Sequence, residues 1–212
     1  SYSVTGVQTC ALPICSDVPL NSPRAALELG MAFVSEDRRG VGLLLDESLD
    51  WNIGFTAMQI QGAYLRSLLG GIVKLRDDAA LDRLAKEYIE QLSIKCTGPK
   101  QLAKELSGGN QQKICLAKAF ALKPEVLFVS EPTRGIDVGA KELVLQSLRH
   151  YNRDFGTTIV MVSSELEELR SICDRIAIVD EGIIAGILPP DADISEFGLL
   201  MAGETRKETT NA

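Results

Sequence analysis

The chain has 212 residues, 45% of them hydrophobic and 24% charged, which is enough for one globular domain with a substantial core. Its formal net charge of -7, without a cluster of Lys and Arg, argues against a nucleic-acid partner. No apolar stretch reaches the roughly 18 residues of a membrane span, so any link to a membrane must go through a partner.

The first residues have no clear helix or strand period. Residues 4–14 read VTGVQTCALPI, which resembles a translated sequencing adapter. We therefore predict that residues 1–15 are an artefact without regular structure and that a partial domain follows over residues 16–203. The alternatives are a genuine apolar strand or a signal-like stretch, although no basic segment precedes it. Residues 204–212 are polar and charged, and are expected to be a disordered tail.

The next segments carry local start and stop signals. Ser22 before Pro23 is a good N-cap and first helical residue, so a short helix is expected until Gly30 ends it, followed by a strand over residues 31–35. The apolar residues of 51–69 could form a helix that the glycines at 70–71 interrupt. Residues 76–92 have the three-to-four apolar spacing of an amphipathic helix.

After Pro124 short apolar runs alternate with helical patterns. Asp180-Glu181-Gly182 reads as a hairpin turn between two of the runs. This alternation predicts an α/β fold with a mostly parallel sheet. Strands are expected at 126–129, 158–162, 175–179 and 183–188, and helices at 140–155 and 165–172.

Five cysteines are scattered without metal-ligand spacing. Their number and spread fit reduced thiols that act as small buried hydrophobic residues. They are Cys10, Cys15, Cys96, Cys115 and Cys173.

Residues 106–113 read LSGGNQQK and predict an anion site. Ser107 offers a hydroxyl, Gly108 and Gly109 let backbone N–H groups approach a phosphate, and the following helix adds its positive N-terminal dipole. The alternative is an ordinary helix start with a serine cap.

Downstream, residues 126–137 read VLFVSEPTRGID. With the serine-glycine segment they resemble the signature loop, Walker B strand and D-loop of ABC-type ATPases. The charged run at 36–40 matches the region of the family's Q-loop, and the three landmarks together resemble the second half of ribose, galactose and xylose type sugar importers. The resemblance implies an ABC-type P-loop NTPase fold, incomplete at the N-terminus, with a helical subdomain at about 45–105 and the remaining motifs at 106–203.

The resemblance also assigns roles around the end of the Walker B strand. Glu131 matches the residue that polarises the attacking water. Ser130 stands where the family has the Asp that holds Mg²⁺, and Ser164 stands where it has the switch His, so both remove interactions with the metal or γ-phosphate. Ser130 and Glu36 are therefore expected to hold Mg²⁺ weakly, through water.

Other residues are implied to contact nucleotide or the opposing half. Ser107, Gly108, Gly109 and Gln111 belong to the signature segment, which completes the ATP site of a first nucleotide-binding half. Glu36 occupies the position of the Q-loop glutamine. Asp137 contacts the opposing half and can also serve as a helix N-cap.

No G-x-x-x-x-G-K-[ST] phosphate loop occurs in the sequence. The resemblance places that Walker A loop upstream of Asp17, so we predict a truncated chain that is inactive in isolation. The single histidine, His150, falls within the helix before the switch position and is expected to be solvated.

The implied function is the ATP-binding subunit of a monosaccharide importer that uses ATP and Mg²⁺ and has a degenerate site of its own. Its expected partners are the first nucleotide-binding half of the same full-length chain, transmembrane permease subunits and, indirectly, a sugar-binding protein, at the cytoplasmic face of the membrane. One alternative is a non-catalytic regulatory half. Another is an ABC protein acting on ribosomes or DNA, for which a basic face or inserted arm would be expected.

Overall fold

The computed structural model describes residues 3–8, 22–68 and 73–203 of the chain. In chain order the strands are β1 (Ser3–Gln8), β2 (Met31–Val34), β3 (Leu65–Leu68), β4 (Val73–Arg76), β5 (Val126–Ser130), β6 (Thr158–Ser163), β7 (Arg175–Asp180) and β8 (Ile183–Leu188). The helices are α1 (Pro23–Glu28), α2 (Leu49–Gln61), α3 (Asp78–Gln91), α4 (Gly108–Phe120), α5 (Val138–Phe155), α6 (Leu166–Ile172) and α7 (Ile194–Met201). A π-helical turn spans Arg38–Gly42 and a 3₁₀ turn spans Ala103–Glu105.

Six of the described strands form one sheet in the order β2-β5-β6-β1-β7-β8. The β2, β5 and β6 strands are mutually parallel, and β7 runs in the same direction as β6. The β1 and β8 strands run antiparallel to their neighbours. The predicted α/β architecture with a mostly parallel sheet is confirmed.

The position of β1 differs from the prediction. Residues 1–15 were expected to lack regular structure, and this is wrong for Ser3–Gln8, which lies between β6 and β7 and pairs with both. The segment SVTGVQ contains β-branched residues, which favour extended backbone. The flanking strands offer it hydrogen-bond partners on both sides. Residues 9–15, with Cys10 and Cys15, and the predicted tail at 204–212 lie outside the described residues.

The start of α1 follows the predicted local signal, and the predicted helix α3 also begins with a side-chain cap. The Ser22 hydroxyl accepts a hydrogen bond of 3.2 Å from the backbone N–H of Ala25, and Pro23 is the first residue of α1. The amphipathic helix predicted over 76–92 is confirmed as α3. Its N-cap is Asp77, whose carboxylate accepts a hydrogen bond of 3.0 Å from the N–H of Ala80.

The helix expected over residues 51–69 is only partly correct. The α2 helix ends at Gln61 because Gly62 adopts a left-handed conformation, with φ of 64°, as its C-cap. Residues 65–68 then form β3, which pairs antiparallel with β4 in a separate hairpin. The break predicted at 70–71 lies outside the described residues.

The predicted turn between β7 and β8 is present. Both Glu181 and Gly182 have positive φ, 48° and 85°. A two-residue hairpin turn with positive φ at both central residues matches the twist of the flanking strands. This turn makes β8 the antiparallel edge of the sheet.

The core is built around α4, which packs against α2, β2 and α5. Its side chains Ile114, Leu116 and Phe120 are fully buried, and Phe120 stacks on Tyr151 of α5. The first turn of α4 is thereby fixed at one end of the core. Among the described residues, no helix combines the length and apolarity that a membrane crossing requires.

Candidate functional site

The first turn of α4 presents an exposed serine and uncapped backbone donors. Ser107 is the N-cap residue by conformation, yet its hydroxyl accepts no hydrogen bond from the helix backbone. It accepts one of 3.0 Å from the side-chain amide of Asn110 instead. The first N–H groups of a helix have no partner within the helix, so those of α4 are left for solvent or an anion.

The two glycines of this turn have different surroundings. A Cβ at Gly108 would meet no atom closer than 3.6 Å, so nothing in the described chain requires a glycine there. A Cβ at Gly109 would lie 3.1 Å from Cβ of Ala140, since α4 and α5 approach closely at this point. Gly108 is thus the residue that leaves room for a ligand, whereas Gly109 lets the two helices pack.

Gln111 lies in the interior rather than on this surface. Its side chain is only 1% exposed, and its Nε2 donates a hydrogen bond of 3.1 Å to the carbonyl of Ala103 in the 3₁₀ turn. The side chain would have to break this bond to reach a nucleotide. In the structure Gln111 therefore supports the segment that leads into Ser107 and does not join it at the surface.

Glu131 and Ser164 meet where β5 and β6 end. The backbone N–H of Ser164 donates a hydrogen bond of 2.8 Å to Oε1 of Glu131, and the Ser164 hydroxyl lies 3.4 Å from Oε2. Glu131 has a positive φ of 46° and its N–H donates to the carbonyl of Val162 at 2.8 Å. Strained backbone of this kind persists where the surroundings over-determine it. Ser130, the last residue of β5, pairs in register with Val162.

Asp137 begins α5 beside the first turn of α4. Its carboxylate accepts a hydrogen bond of 2.9 Å from the N–H of Ala140, which makes it the N-cap of α5 as the sequence predicted. This bond lowers the pKa of the Asp137 carboxyl below its ordinary value. The segments 107–109 and 135–137 are neighbours, because a Cβ at Gly108 would lie 3.6 Å from the carbonyl oxygen of Gly135.

The charged run after β2 joins these two segments. Nη1 of Arg38 donates to the carbonyl of Gly108 at 3.4 Å and to that of Arg134 at 3.2 Å. Glu36 forms an exposed ion pair of 2.8 Å with Arg134. Asp37 orders the turn by accepting a hydrogen bond of 2.8 Å from the N–H of Gly40. The run 36–40 is therefore held against the segments that contain Gly108 and Arg134.

The residues predicted to hold the metal offer few oxygen atoms that could coordinate it. Glu36 is committed to its ion pair with Arg134, and Ser130 supplies a neutral hydroxyl. In the part of the chain that the structure describes, no group of three or more His, Cys, Asp or Glu side chains could hold a metal ion. These residues fit a water-mediated contact to a metal that a phosphate ligand brings, and they do not fit a metal site built from protein ligands alone.

A buried polar cluster next to Glu131 was not predicted from the sequence. Glu168 of α6 is only 3% exposed and accepts hydrogen bonds from the hydroxyls of Thr133 and Ser163, with Lys141 of α5 as its counter-ion. In the sequence Glu168 belongs to an acidic run, which by itself is typical of a solvated helix face. The sequence signal that could have indicated this cluster is that its hydroxyl residues, Thr133 and Ser163, lie within or next to the motif segments.

His150 lies on α5, where its half-exposed side chain pairs with Asp154 one turn later. This agrees with the expected solvated position. Of the remaining cysteines, Cys115 and Cys173 are buried and Cys96 is partly exposed. The interpretation as small buried hydrophobic residues is thus confirmed for Cys115 and Cys173.

Two chemical capacities follow from this geometry. The N-terminal end of α4 can bind an anion through the Ser107 hydroxyl and the backbone N–H groups of its first turn. The carboxylate of Glu131, held by a backbone amide at the end of a parallel strand, can orient a water molecule. Both capacities belong to proteins that handle phosphate esters in the crevice at the carboxyl ends of sheet strands.

Comparison with known proteins agrees with these features. The sequence profile described as "ABC transporter" matches residues 29–134. The ribose import ATP-binding protein RbsA of Lactococcus lactis is 40% identical over 183 residues, which cover 86% of this chain and 35% of that protein. The D-allose import ATP-binding protein AlsA of Escherichia coli is 39% identical over 180 residues, which cover 85% and 34%. The chain thus spans about a third of the length of the curated relatives it matches.

The fold also matches a solved structure. The ATP-binding cassette MJ0796, solved as a dimer in a post-hydrolysis state with ADP and Pi, superposes with a TM-score of 0.65 at 19% identity, covering 82% of this chain and 70% of that one. This similarity establishes the ABC ATPase fold. On the profile match and the fold together, the chain belongs to the ABC transporter family.

Proposed function

We propose that this chain is the second nucleotide-binding half of an ABC importer subunit that energises uptake of a monosaccharide. The proposal is carried by the first turn of α4, where Ser107 is exposed and its side chain does not cap the helix backbone. The relatives named as ribose and D-allose import proteins support the sugar class. We also propose a domain division with a helical subdomain at about 45–105 and the other motifs at 106–203.

In this proposal the outward turn of α4 completes an ATP site in the first half of the same full-length chain. Ser107 and the N–H groups of Gly108 and Gly109 contact the γ-phosphate there, because a helix N-terminus favours negative charge. Asp137 lies beside them and contacts the opposing half. The side chain of Gln111 is not part of this proposed contact surface. It supports the turn through its hydrogen bond to the carbonyl of Ala103.

The chain's own site is weaker. Glu131 orients the attacking water, while Ser130 and Ser164 replace side chains that would carry charge or a γ-phosphate contact in the transition state. Mg²⁺, when bound with ATP, would supply positive charge that stabilises the transferring phosphate. Ser130 and Glu36 contribute only water-mediated contacts to it. The isolated chain, which has no Walker A loop, is inactive.

The proposed partners follow from this role. The permease subunits bind the chain at the cytoplasmic face of the membrane, and a sugar-binding protein acts through the permease. No nucleic acid is involved, since the net charge is -7 and a basic face is not apparent in the sequence.

The test is sugar uptake by the full-length protein, recovered from the source DNA and reconstituted with its permease. Ser107→Arg fills the outward turn with a bulky cation and should abolish uptake and ATP hydrolysis. Ser195→Arg is the matched control, because Ser195 is an exposed serine in the first turn of α7. Normal uptake in Ser107→Arg would contradict the proposal.

A second candidate is a non-catalytic regulatory half that binds nucleotide without turnover. The observation that favours it is the serine at both 130 and 164, which leaves the own site without charged side chains at these positions. Glu131→Gln in the full-length protein separates the two. An unchanged hydrolysis rate favours the regulatory half, and a large fall excludes it.

A further inference from the structure

Outside the proposed ATP contacts, Glu168 is one of the buried ionisable side chains of the described residues. Its side chain is 2% exposed, and burial of a carboxylate is costly unless charge and hydrogen bonds compensate for it. Lys141 provides the charge, and the hydroxyls of Thr133 and Ser163 donate to the two carboxylate oxygens. The group is therefore fully engaged, and neither solvent nor a ligand is needed to satisfy it.

The partners of Glu168 come from three separate elements. Thr133 lies in the loop after β5, Ser163 ends β6, and Lys141 lies in the first turn of α5. Only a side chain fixed between all three elements can contact them at once. Glu168 thus ties the loop 131–137 to the switch segment 163–165.

The tied segments carry the groups of the proposed site. Thr133 lies two positions after Glu131 and four before Asp137 along the chain. Ser163 precedes Ser164, whose N–H holds the Glu131 carboxylate at 2.8 Å. The Ser163 hydroxyl also accepts a hydrogen bond of 3.0 Å from the N–H of Glu165, which fixes the turn into α6.

We infer that Glu168 is a positioning residue that holds Glu131 against the Ser164 amide and sets the place of Asp137. The inference rests on the proposed function, because it gives these groups their roles. Glu168 itself touches neither nucleotide nor water in this scheme. Its effect is transmitted through Thr133 on one side and Ser163 on the other.

The experiment perturbs Thr133, which is 4% exposed. Thr133→Val removes the donor to Glu168 with almost no change of shape, and Thr133→Ser keeps the hydroxyl. In the full-length protein with its permease, measured in a parent whose first-half ATP site has been silenced so that turnover reports on the own site, Thr133→Val should lower kcat for ATP hydrolysis on the order of tenfold and leave KM for ATP nearly unchanged. Thr133→Ser should restore kcat. A kcat in Thr133→Val equal to that of the parent overturns the inference.

Hydrogen exchange of the same full-length variants supplies a readout independent of turnover. Thr133→Val should exchange faster only in the peptides that contain residues 131–137 and 163–168, and Thr133→Ser should match the parent. Faster exchange throughout the core would mean a merely structural role, and unchanged exchange in the two peptides would mean no positioning; either result overturns the inference.

The two proposals can fail separately. If Glu131→Gln leaves hydrolysis unchanged in the same parent with a silenced first-half site, catalysis by the own site is excluded, and the exchange pattern alone then decides whether Glu168 positions the two segments. If Glu131→Gln lowers hydrolysis, the double variant with Thr133→Val should fall no further than Glu131→Gln alone, because both changes act on one group. A multiplied loss would show that Thr133 acts elsewhere.

Discussion

Replacing Lys141 by Met should destabilise the fold more than removing an exposed lysine, because it leaves the Glu168 carboxylate buried without its cation. Lys141 lies between the carboxylates of Glu165 and Glu168, and its side chain is 28% exposed. Methionine keeps the apolar stem and helix propensity of the lysine. The substitution therefore isolates the loss of charge.

The magnitude follows from what remains around Glu168. Breaking a buried ion pair by removing one partner costs roughly 3–5 kcal/mol when the remaining charge has no compensation. Here the two hydroxyl donors of Thr133 and Ser163 stay in place, and Lys141 is partly solvated in the parent protein. We therefore expect a loss of about 2 kcal/mol in the free energy of unfolding, which lies within the range of about 1.5–3 kcal/mol for a hydrogen bond to a charged group.

Urea unfolding at neutral pH measures this loss as a shift of the midpoint at constant slope. Lys86→Met is the matched control, since Lys86 pairs with Asp82 on the exposed face of α3 and should change stability by at most about 0.5 kcal/mol. Adding Glu168→Gln to Lys141→Met should recover about 1 kcal/mol, because a neutral amide needs no cation. Equal midpoints for Lys141→Met and Lys86→Met would contradict the assigned role of Lys141, and so would a double variant less stable than Lys141→Met.

Two further predictions concern ionisable side chains. Burial raises the pKa of the thiols of Cys115 and Cys173 to about 12 in each case, so both should resist alkylation at pH 8 while Cys96 reacts, as mass spectrometry of the labelled peptides would show. Equal labelling of Cys96 and Cys115 would contradict this. The hydrogen bond from Arg66 and that from a backbone N–H lower the pKa of Asp77 from 3.8 to about 2, so its stabilisation is present above pH 4 and is lost as pH falls through 2. The carboxyl NMR titration of Asp77 should move to higher pH in Arg66→Gln, and an unmoved midpoint would refute the assigned cause.

The sequence predicts best where the signal is local. Ser22 and Asp137 begin their helices through side-chain hydrogen bonds within three residues, and Glu181-Gly182 forms a turn that its two residues determine. Periodicity over residues 76–92 also suffices, because α3 buries one face only. These elements depend little on the rest of the chain.

Features that depend on tertiary contacts were missed or misplaced. The β3 strand has an apolar pattern that also suits a helix, and its pairing with β4 decides between the two. Gln111 reads as part of a nucleotide-binding motif, but packing of α4 turns it toward Ala103. Glu168 reads as one more surface acid until its burial against Thr133 is known. Motif spacing identifies segments, and only the packed structure shows which side chains within them face outward.

At Ser164, the contact that positions Glu131 does not depend on the side chain. The bond that holds Glu131 comes from the backbone N–H at 2.8 Å, whereas the hydroxyl is 3.4 Å away. A backbone N–H is present whatever non-proline residue occupies the position, so a serine there preserves the placement of Glu131. What the serine removes is a cationic or donating side chain toward a phosphate. In the proposed reaction the own site therefore keeps its water-orienting carboxylate in place and loses transition-state stabilisation, which predicts a slow site with a correctly placed base.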